Sequence, residues 1–119
     1  MKLMDGALLR HQCFVNGQWI SAYHSETIVV QNPATSETIG TVPRAGARET
    51  AEAIQAAANA WPAWRAKTAL ARADIMMKWY QLTLDAREDL AVMLTSEQGK
   101  PLAEARGEIG FGASFIRWF

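Results

Sequence analysis

The chain has 119 residues, of which 50% are hydrophobic and 20% are charged, a balance typical of a globular domain rather than a disordered segment. Twelve Lys and Arg residues balance twelve Asp and Glu residues, so the formal net charge is zero. Because there is no basic excess, neither nucleic acid nor an anionic membrane surface is an expected partner.

The N-terminal segment, residues 1–12, is expected to be an extension ahead of the folded part. Asp5 and Arg10 interrupt the apolar core that an export signal would need. No later stretch reaches the roughly 18 uninterrupted apolar residues of a membrane span. Cys13 is the single cysteine, so no internal disulfide forms, and we expect a protein of the reducing cytoplasm.

Two β-hairpins are predicted in the first third of the chain. Asn16-Gly17 separates two short apolar segments within residues 13–20, and this dipeptide favours the positive φ angles of a type I′ turn. Residues 27–30 are all β-branched, which predicts a strand over residues 27–32. A turn over residues 33–36 then leads to a partner strand over residues 38–43.

From Gly46 onward the composition changes to Ala, Glu and Arg, which predicts helices. A first helix over residues 47–59 is expected to end at Pro62, with residues 61–64 as a connector. This helix carries small and apolar residues at helical spacing, namely Ala51, Ile54, Ala57 and Ala58.

Thr68 is the predicted cap of a second helix over residues 69–86. This helix is expected to face the core through one apolar stripe, formed by Ile75, Trp79 and Leu82. Two further large residues, Met76 and Tyr80, lie beside the stripe. A third helix over residues 87–97 has Leu90, Met93 and Leu94 inward, and Gly99 is expected to close it in a left-handed conformation.

A fourth helix is predicted after Pro101, and it continues to the aromatic pair Trp118-Phe119. These aromatics would leave an apolar patch, which normally meets a partner surface. An obligate partner and a missing continuation of the chain are both consistent with this pattern.

Candidate catalytic and metal-binding residues are few. Cys13 is the only thiol, with His11 two residues earlier, but it begins a hairpin strand, whereas catalytic cysteines lie at a helix N-terminus or beside a firmly held base. His24 lies in a polar link, and no zinc-binding spacing is present. The residues therefore predict neither a catalytic cysteine nor a metal site.

The glycines of residues 107–112 follow the order G-x-x-G-x-G, the reverse of the dinucleotide-binding pattern, and close helix packing is the preferred explanation. Gly99-Lys100 lacks the other residues of a phosphate-binding loop. Of three carboxylates considered as general acids or bases, Glu97, Glu104 and Glu108, the last two form an ordinary charged helix stripe. Core packing is the expected role of the five tryptophans, Trp19, Trp61, Trp64, Trp79 and Trp118.

Several segments, taken in order, resemble the opening of aldehyde dehydrogenases. They are FVNGQW (14–19), NPA (32–34), IGTVP (39–43), AANAWPAWR (57–65) and EQGKPLAEA (97–105). The final ASFIRWF (113–119) is most similar to the bacterial succinate-semialdehyde dehydrogenase branch. The resemblance implies an α/β family fold, of which this chain would be the N-terminal α+β part, two hairpins followed by about four helices.

The resemblance further implies that residues 13–119 are the N-terminal part of a cofactor-binding domain in a homo-oligomeric enzyme. That enzyme would oxidise succinate semialdehyde to succinate with NADP or NAD. The catalytic cysteine and glutamate and the cofactor-binding strands of the family fall beyond Phe119, so no catalytic, cofactor-binding or metal residue is assigned here. We expect an inactive N-terminal fragment that binds no cofactor alone. The alternative is a non-enzymatic module that docks, or self-associates, through its C-terminal apolar helix.

Overall fold

The computed structural model describes residues 1–119, and it contains two β-hairpins followed by four helices, as predicted. A 3₁₀ turn, Gly6–Leu8, precedes the first strand. The strands are β1 (Cys13–Val15), β2 (Gln18–Ile20), β3 (Thr27–Gln31) and β4 (Thr38–Pro43), and the helices are α1 (Ala47–Arg65), α2 (Ala69–Asp85), α3 (Arg87–Gln98) and α4 (Leu102–Trp118). The chain is therefore α+β, with strands confined to the first third.

The first hairpin has the predicted turn. Asn16 and Gly17 have φ angles of 50° and 78°, so both turn residues lie in the left-handed region that a type I′ turn requires. Strands β1 and β2 pair antiparallel, and the rings of Phe14 and Trp19 lie opposite each other with centroids 5.0 Å apart. The local sequence therefore determines this hairpin.

The second hairpin pairs β3 with β4 in the predicted order, from Thr27 opposite Pro43 to Gln31 opposite Thr38. The turn begins one residue earlier than expected, because the Asn32 side chain accepts a hydrogen bond from the Ala34 N–H at 2.9 Å. An Asn side chain that bonds its own backbone two residues on favours a turn over a continued strand.

The prediction for the end of α1 was wrong, because the helix continues through Pro62 to Arg65. Pro62 removes a single backbone N–H donor, and the Ala58 carbonyl that loses this partner belongs to an exposed residue. The last turn is closed by the Ala66 N–H, which donates to the Pro62 carbonyl at 3.2 Å. Residues 61–64 are thus helical rather than a connector.

The small and apolar residues at helical spacing on α1 are not covered in this chain. These four residues are all exposed, and Ile54 retains 65% of its accessible surface. Ala53 and Ala56 are half-buried and line a shallow depression next to Phe14 and Val15 of the first hairpin. The side of α1 toward the hairpin is therefore built from small residues.

Helices α2, α3 and α4 pack together, and α4 contacts both of the others. The packing rests on small side chains, since Ala91 and Ala105 are fully buried and Ala113 is 1% exposed. Gly99 closes α3 with a φ of 76°, which confirms the left-handed cap. Thr68 caps α2 as expected, because its hydroxyl oxygen accepts from the Ala71 N–H at 3.2 Å.

The apolar stripe predicted to point α2 into the core is not covered in this chain. Ile75, Trp79 and Leu82 are 43%, 56% and 66% exposed. Met76 and Tyr80, which were placed beside that stripe, are the half-buried residues instead. Helical periodicity identified an apolar stripe correctly, but this chain supplies no element to cover it.

The N-terminal segment is attached to the helices by a buried carboxylate. Asp89, 4% exposed in the first turn of α3, accepts hydrogen bonds from the N–H groups of Met4 and Asp5, both at 2.8 Å. Farther along, the His11 ring lies against Gly40, and its Nδ1 is 3.1 Å from the Thr41 carbonyl oxygen. Residues 1–12 thus form a strap from α3 to the second hairpin.

The molecule has little core for its size. Its accessible surface is 8670 Å², whereas a compact monomer of 13.2 kDa exposes about 6,400 Å². The radius of gyration is 16.6 Å, compared with about 13.5 Å for a compact domain of this length. Much apolar surface therefore remains uncovered, and no helix is both long and apolar enough to cross a membrane.

Candidate functional site

Cys13 occupies a structural position in β1. The residue is half-buried, pairs with Ile20 across the hairpin, and forms no hydrogen bond with His11. It lies on a strand and not at the N-terminus of a helix, where reactive cysteines are commonly found. This environment is that of a small packed residue rather than an activated nucleophile.

The two histidines do not converge with acidic side chains or with the cysteine. His24 is exposed in the loop between the hairpins, whereas His11 lies against the second hairpin. No group of three His, Cys, Asp or Glu side chains is close enough to hold a metal ion. The described residues thus offer no ligand set for zinc or magnesium.

The segment Gly107–Gly112 does not fit a dinucleotide. It lies inside α4, where the backbone N–H groups are used within the helix and cannot cradle a pyrophosphate. The strands form separate antiparallel hairpins instead of the parallel sheet on which dinucleotide sites are built. We therefore assign no cofactor contact to these residues.

Close packing, the role expected for these glycines, is not found in this chain. A Cβ atom added at Gly107, Gly110 or Gly112 would meet no other atom within 4 Å. The neighbouring helices approach α4 at Ala105 and Ala113 instead. The surface beside the glycines is open.

The candidate carboxylates are exposed. Glu108 forms an ion pair with Lys100, so the lysine of the Gly99-Lys100 pair is held by a neighbouring helix residue. Glu97 and Glu104 are exposed and accept no side-chain hydrogen bond. None of the three is buried in a cleft where general acid or base catalysis would be favoured.

A polar cluster that sequence reasoning missed joins the loop after the first hairpin to α1. Glu49, 6% exposed, accepts from the Tyr23 N–H at 2.7 Å and from the Gly46 N–H at 2.9 Å. The pKa of Glu49 is lowered mainly by the hydrogen bond from the Tyr23 N–H. The backbone N–H groups of Glu49 itself and of Gly46 lower it further. A Glu three residues after the residue that precedes a helix is typical of a capping interaction, and this spacing of Gly46 and Glu49 was the sequence pattern that could have indicated the cluster.

Tyr23 extends this cluster along α1. Its hydroxyl lies 2.9 and 3.0 Å from the two carboxylate oxygens of Glu52, and the Arg48 guanidinium lies 3.7 Å from its ring centre. The hydrogen bond to Glu52 raises the pKa of the Tyr23 hydroxyl, and partial desolvation raises it further. The cluster borders an open groove of about 450 Å³ between the hairpin and α1, and it fastens these two elements.

The outward side of α4 is also uncovered. Phe111, Phe115 and Trp118 are 65%, 48% and 83% exposed, and the two Phe rings meet edge to face at 4.9 Å. We call these three residues the outer α4 face. At the end of the helix, Trp118 and Phe119 also line an apolar groove of about 480 Å³ with Trp64 of α1.

Core packing, the role expected for the five tryptophans, is wrong for most of them in this chain. Trp19, Trp61, Trp79 and Trp118 are between 43% and 83% exposed, and only Trp64 is half-buried. Aromatic rings on several elements at once indicate an extended contact surface rather than a ligand pocket.

Comparison with known proteins identifies relatives over the entire chain. The model of the Aldehyde dehydrogenase family matches residues 19–119. Glutarate-semialdehyde dehydrogenase of Pseudomonas putida and succinate-semialdehyde dehydrogenase [NADP(+)] of Escherichia coli are each 53% identical to this chain over 119 residues. These residues are all of this chain and 25% of each relative, so the chain spans about a quarter of the length of the curated relatives that it matches.

Solved structures give the same result. The crystal structure of an E. coli NADP-dependent enzyme superposes with a TM-score of 0.97 at 52% sequence identity. The superposition covers 98% of this chain and 24% of that enzyme. The hairpins and helices described above are therefore arranged as in a much longer protein.

Proposed function

Since the chain belongs to the aldehyde dehydrogenase family, we propose that it is the N-terminal portion of an NADP- or NAD-dependent semialdehyde dehydrogenase of the cytoplasm. One observation carries this proposal: the match to each relative includes all of this chain but one quarter of the relative's length. The uncovered apolar surface supports it, because a quarter of a larger protein exposes what the remainder would bury.

Within that enzyme, residues 13–119 would belong to the cofactor-binding domain, with residues 1–12 as the strap in front of it. No side chain of this chain takes a catalytic, cofactor-binding or metal-binding role in the proposal. The 119 residues alone are consequently expected to be inactive and to bind neither NADP nor NAD.

The proposed reaction of the complete enzyme is the oxidation of succinate semialdehyde to succinate. Glutarate semialdehyde is a second candidate substrate, because the relative named for it is as similar to this chain as the one named for succinate semialdehyde. Both are short chains with an aldehyde at one end and a carboxylate at the other. One kind of site therefore accommodates either.

A chimaeric enzyme tests the proposal. Residues 1–119 replace the aligned first quarter of the Escherichia coli relative in one covalent polypeptide, and turnover is followed as NADPH formation with each semialdehyde. We expect a soluble, active chimaera, because this chain shares half of its residues with that relative and its backbone path with a solved succinate-semialdehyde dehydrogenase. A chimaera that folds but does not turn over either substrate would overturn the proposal.

Assay of the purified 119-residue chain is the matching control, and no NADPH or NADH formation is expected from it. Turnover by the chain alone would contradict its assignment as a non-catalytic portion. The exposed outer α4 face supports a second candidate function, a non-enzymatic docking module. An inactive chimaera together with a stable complex between the chain and an unrelated protein would favour that candidate.

A further inference from the structure

The tip of the first hairpin places a side-chain amide next to an unpaired backbone N–H group. Asn16 and Gly17 are both exposed, and the pairing of β1 with β2 ends at Val15 opposite Gln18. The Gly17 N–H donates no backbone hydrogen bond. A Cβ atom added at Gly17 would meet no other atom within 4 Å, so open space surrounds the turn. The Gly17 nitrogen is therefore free to react with the Asn16 side chain.

The chain contains three asparagines, and the other two lack this arrangement. Asn32 precedes Pro33, which has no N–H, and its Oδ1 accepts a hydrogen bond from the Ala34 N–H at 2.9 Å. Asn59 lies inside α1, where the following N–H belongs to the helix, and its Oδ1 accepts a hydrogen bond from Gln55 at 2.8 Å. The asparagine of the first hairpin is thus the one that precedes a residue with a free N–H.

The turn at Asn16-Gly17 opens readily. Strands β1 and β2 have three residues each and pair with no third strand. A two-stranded hairpin of this kind is marginally stable in water, so it opens locally more easily than the helices unfold. Opening is necessary for a reaction between the two residues, because ring closure requires rotation about the Asn16 Cα–C bond, away from the type I′ conformation. The hairpin therefore slows such a reaction without preventing it.

We propose that Asn16 is a modification site, at which a succinimide formed with Gly17 converts the asparagine into aspartate and isoaspartate. The Gly17 nitrogen attacks Asn16 Cγ and gives up its proton, the Cγ–Nδ2 bond breaks, and the amide nitrogen leaves as ammonia with that proton. Water then opens the ring. Attack of water on Cγ gives aspartate, whereas attack on the main-chain carbonyl carbon gives isoaspartate, whose peptide bond to Gly17 runs through Cγ. Water is the co-reactant, and no group is oxidised or reduced.

The two products differ in their effect on the hairpin. Asp-Gly favours the same type I′ turn as Asn-Gly, so aspartate preserves the strand pairing. Isoaspartate adds a methylene group to the main chain of the turn, and the turn fixes the register of a hairpin. The aromatic pair of Phe14 and Trp19, with ring centroids 5.0 Å apart, depends on that register. Accumulation of isoaspartate therefore loosens the first hairpin as the protein ages.

Timed incubation of the full 119-residue chain tests the proposal. The chain is kept folded at mildly alkaline pH, and peptide mass spectrometry with chromatographic separation of the aspartate and isoaspartate forms follows all three asparagines. We expect progressive loss of the Asn16 amide with formation of both products, and retention of the amides of Asn32 and Asn59. If the folded chain retains the Asn16 amide while the urea-unfolded chain loses it, the turn protects the site and the proposal is wrong.

Variants separate ring formation from direct hydrolysis. Gly17→Ala places a Cβ atom beside the attacking nitrogen and should slow loss of the Asn16 amide several-fold. The comparison is made in urea, where the strain of a positive φ has no influence. Gly107→Ala, the same substitution at another open glycine, is the matched control and should leave the rate unchanged. In the folded state, Asn16→Asp should retain the hydrogen-exchange protection of the β1 and β2 amides, whereas the purified isoaspartate form should lose it.

Each other outcome contradicts part of the proposal. Formation of aspartate without isoaspartate would show direct hydrolysis of the amide, with no succinimide. Equal losses at Asn59 and Asn16, or an unchanged rate in Gly17→Ala, would show that the free Gly17 N–H is not the cause. An isoaspartate form with full hydrogen-exchange protection would refute the effect on the hairpin.

Discussion

Gly99 ends α3 with a φ of 76°, a conformation that costs glycine little because it has no Cβ atom. The same property gives Asn16-Gly17 its turn. These positions were predictable because the turn and cap chemistry is local, contained within a few neighbouring residues. Glu49 was missed, since its carboxylate also binds the Tyr23 N–H, a partner 26 residues away that no local pattern indicates.

Substitution of glycine should have opposite effects at two positions. Gly99→Ala is expected to lower the free energy of unfolding by about 1 kcal/mol, because alanine resists a positive φ. The new Cβ would also lie 3.0 Å from Pro33 Cγ. Gly112→Ala, inside α4 with open space around it, should instead raise that free energy by about 0.5–1 kcal/mol. Urea unfolding of the purified variants measures both changes in the free energy of unfolding. A lower free energy of unfolding for Gly112→Ala would contradict the open space around Gly112.

Glu49 should make the stability depend on pH. Its pKa is lower in the folded chain than in the unfolded chain, so its contribution is complete above the unfolded pKa and is lost as the pH falls through the folded pKa. Glu49→Gln should therefore have a lower urea midpoint than the parent chain at pH 7, and the two midpoints should converge at acidic pH. A difference that is independent of pH would disprove an ionised Glu49 in this role.

At the level of elements, the order of hairpins and helices followed from turn residues, caps and periodicity, whereas helix α1 and the α2 stripe did not follow the prediction. Because proline lacks a backbone N–H, the sequence predicted that α1 ends at Pro62. The helix continues to Arg65, since the loss of one hydrogen-bond donor at an exposed turn does not end a helix. For α2, the pattern identified an apolar stripe but could not identify what covers it, because that depends on elements distant in sequence. The attachment of residues 1–12 to α3 could not be predicted for the same reason, since Met4 and Asp89 are 85 residues apart in the sequence.

Removal of the Asp89 carboxylate should release the strap. Asp89→Ala deprives the Met4 and Asp5 N–H groups of their acceptor and is expected to cost about 1–3 kcal/mol of unfolding free energy. Hydrogen exchange should become fast at these two amides, whereas the amides within α4 keep their protection. Glu88→Ala, which removes only an exposed ion pair with Arg106, should cost less than about 1 kcal/mol. Equal losses in the two variants would show that the strap is not held by Asp89.

On the scale of the whole molecule, the fold superposes on about a quarter of a longer dehydrogenase, but few of its residues are buried. Half of the sequence is hydrophobic, which sequence reasoning took as capacity for a core, yet six residues are buried. The two observations agree if the apolar residues were selected for contacts with the rest of a longer protein. Composition could not distinguish apolar residues that form a core within this chain from apolar residues that contact another part of a longer protein, because composition does not say what each residue packs against.

The covalent chimaera tests the central claim most directly. With residues 1–119 in place of its own first quarter, the Escherichia coli relative is expected to oxidise succinate semialdehyde with kcat/KM within about tenfold of the parent, a change of about 1.4 kcal/mol in transition-state stabilisation. Such a result would place this chain as the N-terminal portion of a semialdehyde dehydrogenase. A soluble chimaera without turnover, or one that aggregates while the parent stays soluble, would contradict that placement.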